Sequence, residues 1–202
     1  MKPTIVFWYE FASTYSYLSA MRIEETAARA DVAVDWKPFL LGPIFKSQGW
    51  ETSPFNIYPA KGRYMVRDIG RTAASRGIPF QMPASFPANG LKAARLAIAA
   101  RSQGADAAFS RAVFAAAFAK GLDISDDAVL TDCLTSAGLE ADDMRRLSTD
   151  MAVKSELRAN TEEAQALGIF GAPSFSTPDG EMFWGDDRLD QALTWARKRA
   201  PG

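Results

Sequence analysis

Phe7-Trp8-Tyr9-Glu10-Phe11-Ala12-Ser13-Thr14-Tyr15-Ser16-Tyr17-Leu18 carries an apolar strand into a turn and out again into helical composition. Thr4 to Tyr9 is an almost unbroken apolar and β-branched run, the pattern of a strand buried on both faces and so of the opening of an α/β unit. Ser13 stands where the helix begins. Its hydroxyl can accept from a first-turn amide, which makes it a good N-cap, and this stretch alone leaves it open between a cap and a functional group.

The far end of the chain has a matching feature. Gly168-Ile169-Phe170-Gly171-Ala172-Pro173-Ser174-Phe175 puts a proline directly ahead of a β-prone segment, a place it tolerates at a strand start or in a cis turn because it has no ladder donor to lose. Ser176-Thr177-Pro178-Asp179-Gly180-Glu181 reads as a turn, which makes residues 173–177 and 181–184 the arms of a hairpin. Gly185-Asp186-Asp187-Arg188 then leads into an amphipathic helix with Leu189, Leu193 and Ala196 on one stripe.

Between these ends the periodicity is helical. Met65, Ile69 and Ala73 share a face, as do Leu91, Ala94 and Ile98, then Phe109, Val113 and Ala117, then Val153, Leu157, Ala164 and Leu167. Ser125-Asp126-Asp127 and Ser102-Gln103-Gly104 punctuate the series as a cap and a stop, and residues 105–119 are alanine-rich in the manner of a well-formed helix.

Composition narrows the chemistry. With 202 residues and 48% hydrophobic content the chain can bury a core without disulfides or metal. A net charge of -1 with both signs scattered argues against nucleic acid or an anionic membrane as a partner. The N-terminal apolar run is too short and too soon interrupted for a signal peptide or a membrane span, so a cytoplasmic location is expected. Histidine is absent, which excludes a serine–histidine–aspartate hydrolase, a histidine-ligated zinc site and any imidazole base. The one cysteine, Cys133, lies with Val129, Leu130 and Leu134 at spacings that put it on an apolar helix face as a buried structural thiol. Without a Cys-x-x-Cys pair at the strand-to-helix turn, dithiol redox chemistry is excluded as well.

Ser13-Thr14-Tyr15-Ser16-Tyr17-Leu18, Pro59-Ala60-Lys61-Gly62-Arg63-Tyr64, Ala172-Pro173 and Trp184-Gly185-Asp186-Asp187-Arg188-Leu189, in that order along the chain, resemble the 2-hydroxychromene-2-carboxylate isomerase family and the related kappa-class glutathione transferases. Both belong to the disulfide-oxidoreductase-like branch of the thioredoxin superfamily. Two positions depart from the family pattern: Glu10 replaces the usual Asp and Thr14 the usual Pro. The resemblance implies an α/β, thioredoxin-like fold with an inserted all-helical domain. Residues 1–43 and 168–202 are expected to form the thioredoxin-like part and residues 44–167 the insertion, with a helix over 150–167 bridging them and a ligand cleft between. It also implies that Pro173 is cis and faces Ser13, a homodimer, and reduced glutathione as cofactor.

The missing cysteine agrees with that cofactor. A serine that no imidazole can deprotonate can still donate a hydrogen bond to a thiolate brought by another molecule. A thiol with a pKa near ~8.5 is only about 3% ionised at pH 7, and a depression of ~2 units makes it about 75% ionised, roughly a 25-fold gain in nucleophile.

By the same resemblance, Ser13 is the catalytic residue, and Ser13, Lys61, Ala172, Pro173, Trp184, Gly185, Asp186, Asp187 and Arg188 hold glutathione. Asp186 and Asp187 would receive its γ-glutamyl ammonium, although as residues ahead of a helix they also read as caps. Trp184 reads equally as packing. Lys46, Asn56 and Asn89 are the substrate-binding candidates for a small aromatic molecule bearing a carboxylate. The aromatic and proline-rich segment from Leu40 to Lys61 reads as a lid or as packing against the insertion. Three functions stay open: an isomerase that adds and releases glutathione reversibly on an aromatic hydroxy-keto acid, a transferase that conjugates electrophiles, and a non-catalytic glutathione-binding domain.

Overall fold

The computed structural model describes residues 2–199. Strand β1 (Thr4–Tyr9) has the bounds its apolar run predicts. It pairs in parallel with β2 (Ala33–Pro38) and antiparallel with β3 (Ser174–Ser176), which in turn pairs antiparallel with β4 (Met182–Trp184), giving the strand order β2-β1-β3-β4. The parallel pair needs a crossover, which α1 (Thr14–Ala20) and α2 (Ile23–Ala30) supply. After β2 the chain runs through α3 (Leu41–Ser47), α4 (Pro54–Ile57), α5 (Pro59–Ser75), α6 (Leu91–Arg101), α7 (Asp106–Phe118), α8 (Asp127–Ser136), α9 (Ala141–Ser148) and α10 (Met151–Ala166). It returns to the sheet for the β3–β4 hairpin, then makes a 3-10 turn (Asp186–Arg188) and α11 (Leu189–Arg199). This is a thioredoxin-like fold with a helical insertion. The first helix of the insertion starts at Leu41, so the boundary drawn at residue 43 passes through α3; α10 touches β2 as well as α3, α6 and α9.

Alternation along β1 divides the core in two. Ile5, Phe7 and Tyr9 face a large cluster built from α1, α2, α6, α7 and α11, where Phe7 stacks on Phe175 at 5.5 Å and meets Trp36 edge-on at 5.0 Å. Trp8 faces the other way, against Phe39, Ile44, Ala164 and Ile169 from α3, α10 and their flanks. Both faces of the strand are thus covered. The two polar groups on its buried side chains find partners: Trp8 Nε1 donates to Ser176 Oγ at 2.9 Å, and the Tyr9 hydroxyl bonds with that of Ser110 at 2.8 Å.

The predicted stripe Met65, Ile69, Ala73 is the buried face of α5, and Leu189, Leu193 and Ala196 that of α11. On α6 burial extends well beyond the expected stripe, to Ala93, Leu96, Ala97, Ala99 and Ala100, because alanine lets neighbouring helices approach from several sides. The hairpin strands are shorter than expected, since residues 173 and 177 belong to the turns at either end. Cys133 is buried on α8 and burial pushes its thiol up to about 11, which leaves it unreactive near neutrality. Among the described residues no helix is long and apolar enough to cross a membrane, and no group of His, Cys, Asp and Glu could hold a metal ion.

Candidate active site

At the C-terminal end of β1 the chain turns back on itself, with the Ser13 amide donating to the Glu10 carbonyl at 2.9 Å, and Ser13 then caps α1. Its Oγ accepts from the Ser16 amide at 3.1 Å and donates to the Ala172 carbonyl at 2.8 Å. The Ala172–Pro173 peptide is cis. The two features at opposite ends of the sequence therefore meet, and Ser13 is both a cap and a group facing the proline loop. Thr14 and Tyr15 follow as the first residues of α1, whose opening amides have no partner within the helix. In Thr14 that includes an N–H that a proline at this position lacks.

A cavity of about 1090 Å³ opens beside Ser13, at the seam between the sheet and the helices. Its lining combines polar residues, among them Ser13, Asp68, Thr72, Arg76, Asp186 and Asp187, with apolar ones, among them Leu40, Leu41, Phe45, Trp50, Phe55 and Phe86. Of the residues expected at a site, Ser13, Lys61, Asn89, Ala172, Pro173, Trp184, Gly185, Asp186 and Asp187 line it together. The segment from Leu40 to Lys61 supplies its apolar wall, partly as the short helices α3 and α4.

Three expected residues are not in the lining. Lys46 follows Phe45 on α3, and where Phe45 turns to the cavity the next position points about 100° round the helix, into solvent. Asn56 lies in α4 with its amide donating back to Thr52 Oγ1 at 2.9 Å. Arg188 sits at the rim, paired with Asp187 at 2.9 Å.

The adjacent aspartates have different surroundings. Asp186 is 4% exposed; its Oδ1 takes Ser19 Oγ at 2.9 Å and Arg22 Nε at 3.3 Å, its Oδ2 takes Arg76 Nη1 at 2.6 Å, and Arg22 also donates to its backbone carbonyl at 2.6 Å. This carboxylate ties α1, α2 and α5 to the last turn, and its charge is already matched by two guanidiniums. Of the two aspartates expected to receive an ammonium, Asp186 is thus the one whose carboxylate already faces cations. Asp187 is mostly exposed and, besides Arg188, has no ionic partner among the described residues. It folds over Gly185, whose φ of 110° only glycine adopts readily; a Cβ there would lie 2.6 Å from Asp187 Oδ1.

Around these groups, Trp184 is half exposed and packs on Phe170 at 4.8 Å, an aromatic pair at the cavity mouth. The Lys61 ammonium lies 4.7 Å from the Tyr58 ring. Asn89 Oδ1 accepts from the Leu91 amide at 3.0 Å, which fixes the side chain and leaves its NH2 group free. The Tyr15 hydroxyl donates to Asp68 Oδ2 at 2.9 Å; burial together with that carboxylate raises its pKa, so it stays a neutral phenol. Sequence reading did not find Tyr15, Asp68, Arg76 or Phe170: Asp68 and Arg76 become site neighbours only through contacts across elements, and Tyr15 and Phe170 read as apolar neighbours of the turns.

A mixed sheet, a cis-proline turn and a polar helix start facing it define a thioredoxin-type protein with serine at the strand-to-helix turn. Residues 4–194 match the family model of the DsbA-like thioredoxin domain, and the chain belongs to that family. It is similar to the 2-hydroxychromene-2-carboxylate isomerase of Sphingobium xenophagum, with 32% identity over 192 residues covering 94% of this chain and 96% of that protein. It is also similar to glutathione S-transferase kappa 2 of Caenorhabditis elegans, with 27% identity over 94% of this chain and 90% of that one. A solved 2-hydroxychromene-2-carboxylate isomerase superposes with a TM-score of 0.82 at 26% identity, covering 97% of this chain and 95% of that one.

Proposed function

We propose that this protein is a glutathione-dependent isomerase of the 2-hydroxychromene-2-carboxylate isomerase type, acting in the cytoplasm on a small aromatic hydroxy-keto acid. The observation that carries the reading is Ser13 at the strand-to-helix turn, opposite a cis proline, in a cavity whose lining includes no cysteine and in a chain without histidine. The residues present fit the tripeptide. The cavity is large enough for glutathione and a bicyclic acid side by side, and its lining offers an exposed carboxylate in Asp187 whose one ionic partner is the neighbouring Arg188, an ammonium in Lys61 and the backbone of residues 171–173.

When bound, reduced glutathione would supply a thiolate able to add reversibly to an unsaturated ketone. Ser13 turns its hydroxyl from the Ala172 carbonyl toward that sulfur. The exchange replaces a neutral hydrogen bond worth ~0.5–1.5 kcal/mol with a charge-assisted one worth ~1.5–3 kcal/mol, so its net contribution is about 1 kcal/mol, or roughly 0.7 of a pKa unit. The Thr14 and Tyr15 amides supply the rest. α1 has only seven residues, so close donors matter here more than a helix dipole. Asp187 receives the γ-glutamyl ammonium, Lys61 a carboxylate, and Trp184 with Phe170 covers the tripeptide from solvent. Asn89 donates to the substrate, whose ring lies against Phe45, Trp50, Phe55 and Phe86.

The apolar wall and the likeness to kappa-class transferases also support a transferase that conjugates electrophiles. The test is an assay with a chromene carboxylate and reduced glutathione below stoichiometry. Many turnovers without loss of glutathione are expected. Consumption of one glutathione per product selects the transferase, and saturable binding without turnover contradicts both.

A further inference from the structure

Glu10 is a titratable group that the mechanism above does not use. It follows directly on β1, partly buried in the wall of the same cavity as Ser13, and shares one tight turn with it. Its Oε1 lies 3.0 Å from where a Cβ on Gly90 would stand, so the glycine makes room for the carboxylate next to Asn89. Glu10 is thus placed between the serine and the loop expected to hold the substrate.

The other carboxylates of the cavity are committed. Asp68 is held by Tyr15 and Arg71, Asp186 by Ser19, Arg22 and Arg76, and Asp187 by Arg188. Of the carboxylates that line the cavity, only Glu10 and the exposed Glu51 lack both a cation and a hydroxyl partner. Burial pushes the Glu10 carboxyl up to about 7, against the pull of the Ala12 amide. The cations on the elements around it do not offset this: Lys92 of α6 is paired with Asp127 at 2.7 Å, Arg95 lies outside the lining, Lys61 rests on Tyr58 and Arg76 on Asp186. In a chain with no histidine and with its thiol near 11, Glu10 is the side chain matched to proton transfer at neutral pH.

We infer that Glu10 is a second catalytic residue, the proton carrier between the incoming thiol and the substrate's carbonyl oxygen. The inference rests on the glutathione reading. As an anion, the Glu10 carboxylate takes the proton of the thiol, whose S–H electron pair stays on sulfur. As carbon–sulfur bond formation pushes the double-bond pair onto the carbonyl oxygen, Glu10 gives its proton to that oxygen. In the reverse direction Glu10 takes the proton back from oxygen and returns it to sulfur, so nothing is consumed.

The test compares wild type with Glu10→Gln in three measurements: glutathione binding by calorimetry, kcat and KM against pH, and the infrared band of a protonated carboxyl in the ligand-free protein. Expected are a wild-type band present at pH 5.5 and lost by about pH 8.5, its absence from Glu10→Gln, a fall in kcat of about 100-fold and glutathione affinity within about threefold of wild type. A merely structural role would not move kcat at retained affinity. Wild-type kcat and pH profile in Glu10→Gln overturn the inference while leaving the glutathione reading intact; absence of glutathione binding by wild type overturns both. If Glu10→Gln does not fold, the wild-type band decides, and a carboxyl already ionised at pH 5.5 contradicts the proposal.

Discussion

At the scale of single residues, Ser13 caps α1 and in the proposed reaction also meets the thiolate, and one substitution separates the two. Ser13→Ala removes a cap and the bond to Ala172, each worth about 1 kcal/mol, so the melting temperature should fall by roughly 3–8 °C in a chain of this size. It also removes the net ~1 kcal/mol that the thiolate bond adds over the bond to Ala172, and kcat/KM at fixed glutathione should fall about fivefold. That fall in melting temperature with no change in rate would leave Ser13 as a cap only. Ser13 was legible in the sequence because a strand-to-helix turn has a local signature, and the turn also displayed Glu10 as a departure from the family pattern. What the sequence could not display is that Glu10 stands beside Gly90, eighty positions away in the chain, and that burial raises the pKa of its carboxyl. The sign of its effect follows from that shift. A carboxyl whose pKa is higher folded than unfolded holds its proton better in the native state, so stability is full below the ordinary glutamate value near ~4.3 and is lost as pH rises through about 7.

At the scale of elements, the adjacent aspartates ahead of α11 should behave oppositely. Asp186→Asn leaves Arg22 and Arg76 facing a neutral amide and loosens the joint between α1, α2, α5 and the last turn, a cost on the order of 2–3 kcal/mol. Thermal melting should show a drop of about 4–12 °C. Asp187→Asn should melt like wild type and raise the glutathione needed for half-maximal rate several-fold, with kcat nearly unchanged, as befits binding remote from the reacting sulfur. A glutathione dependence unaltered in Asp187→Asn would remove this corner from the site. Sequence reading paired the two because helix starts favour aspartate at either position; only the arginines, from α2's approach and the end of α5, tell them apart. The helices themselves were readable wherever large apolar residues repeat, as in α5 and α11. They were under-read in α6, where alanine gives no stripe. Lys46 was named from the resemblance, which does not fix the phase of α3, and the structure puts it outside the lining.

At the scale of the molecule, the sheet and the insertion each contribute half of one cavity, and neither half is a site alone. The ends of the chain provide Ser13, the cis proline and the aspartate corner; the insertion provides Lys61, Asn89 and the apolar wall. The overall fold was legible because its defining pieces are local motifs in a fixed order. The side of the cavity on which each loop residue falls was not, since that depends on how helices with little side-chain bulk pack against one another. In the proposed reaction this assembled site ionises a thiol it does not itself possess. Ultraviolet difference absorbance of the thiolate, recorded as reduced glutathione is titrated into the protein across pH, tests it directly. Bound glutathione should titrate about 1–2 units below its free pKa, with a smaller depression in Ser13→Ala. Bound glutathione with an unshifted thiol, or no binding at all, would contradict the account.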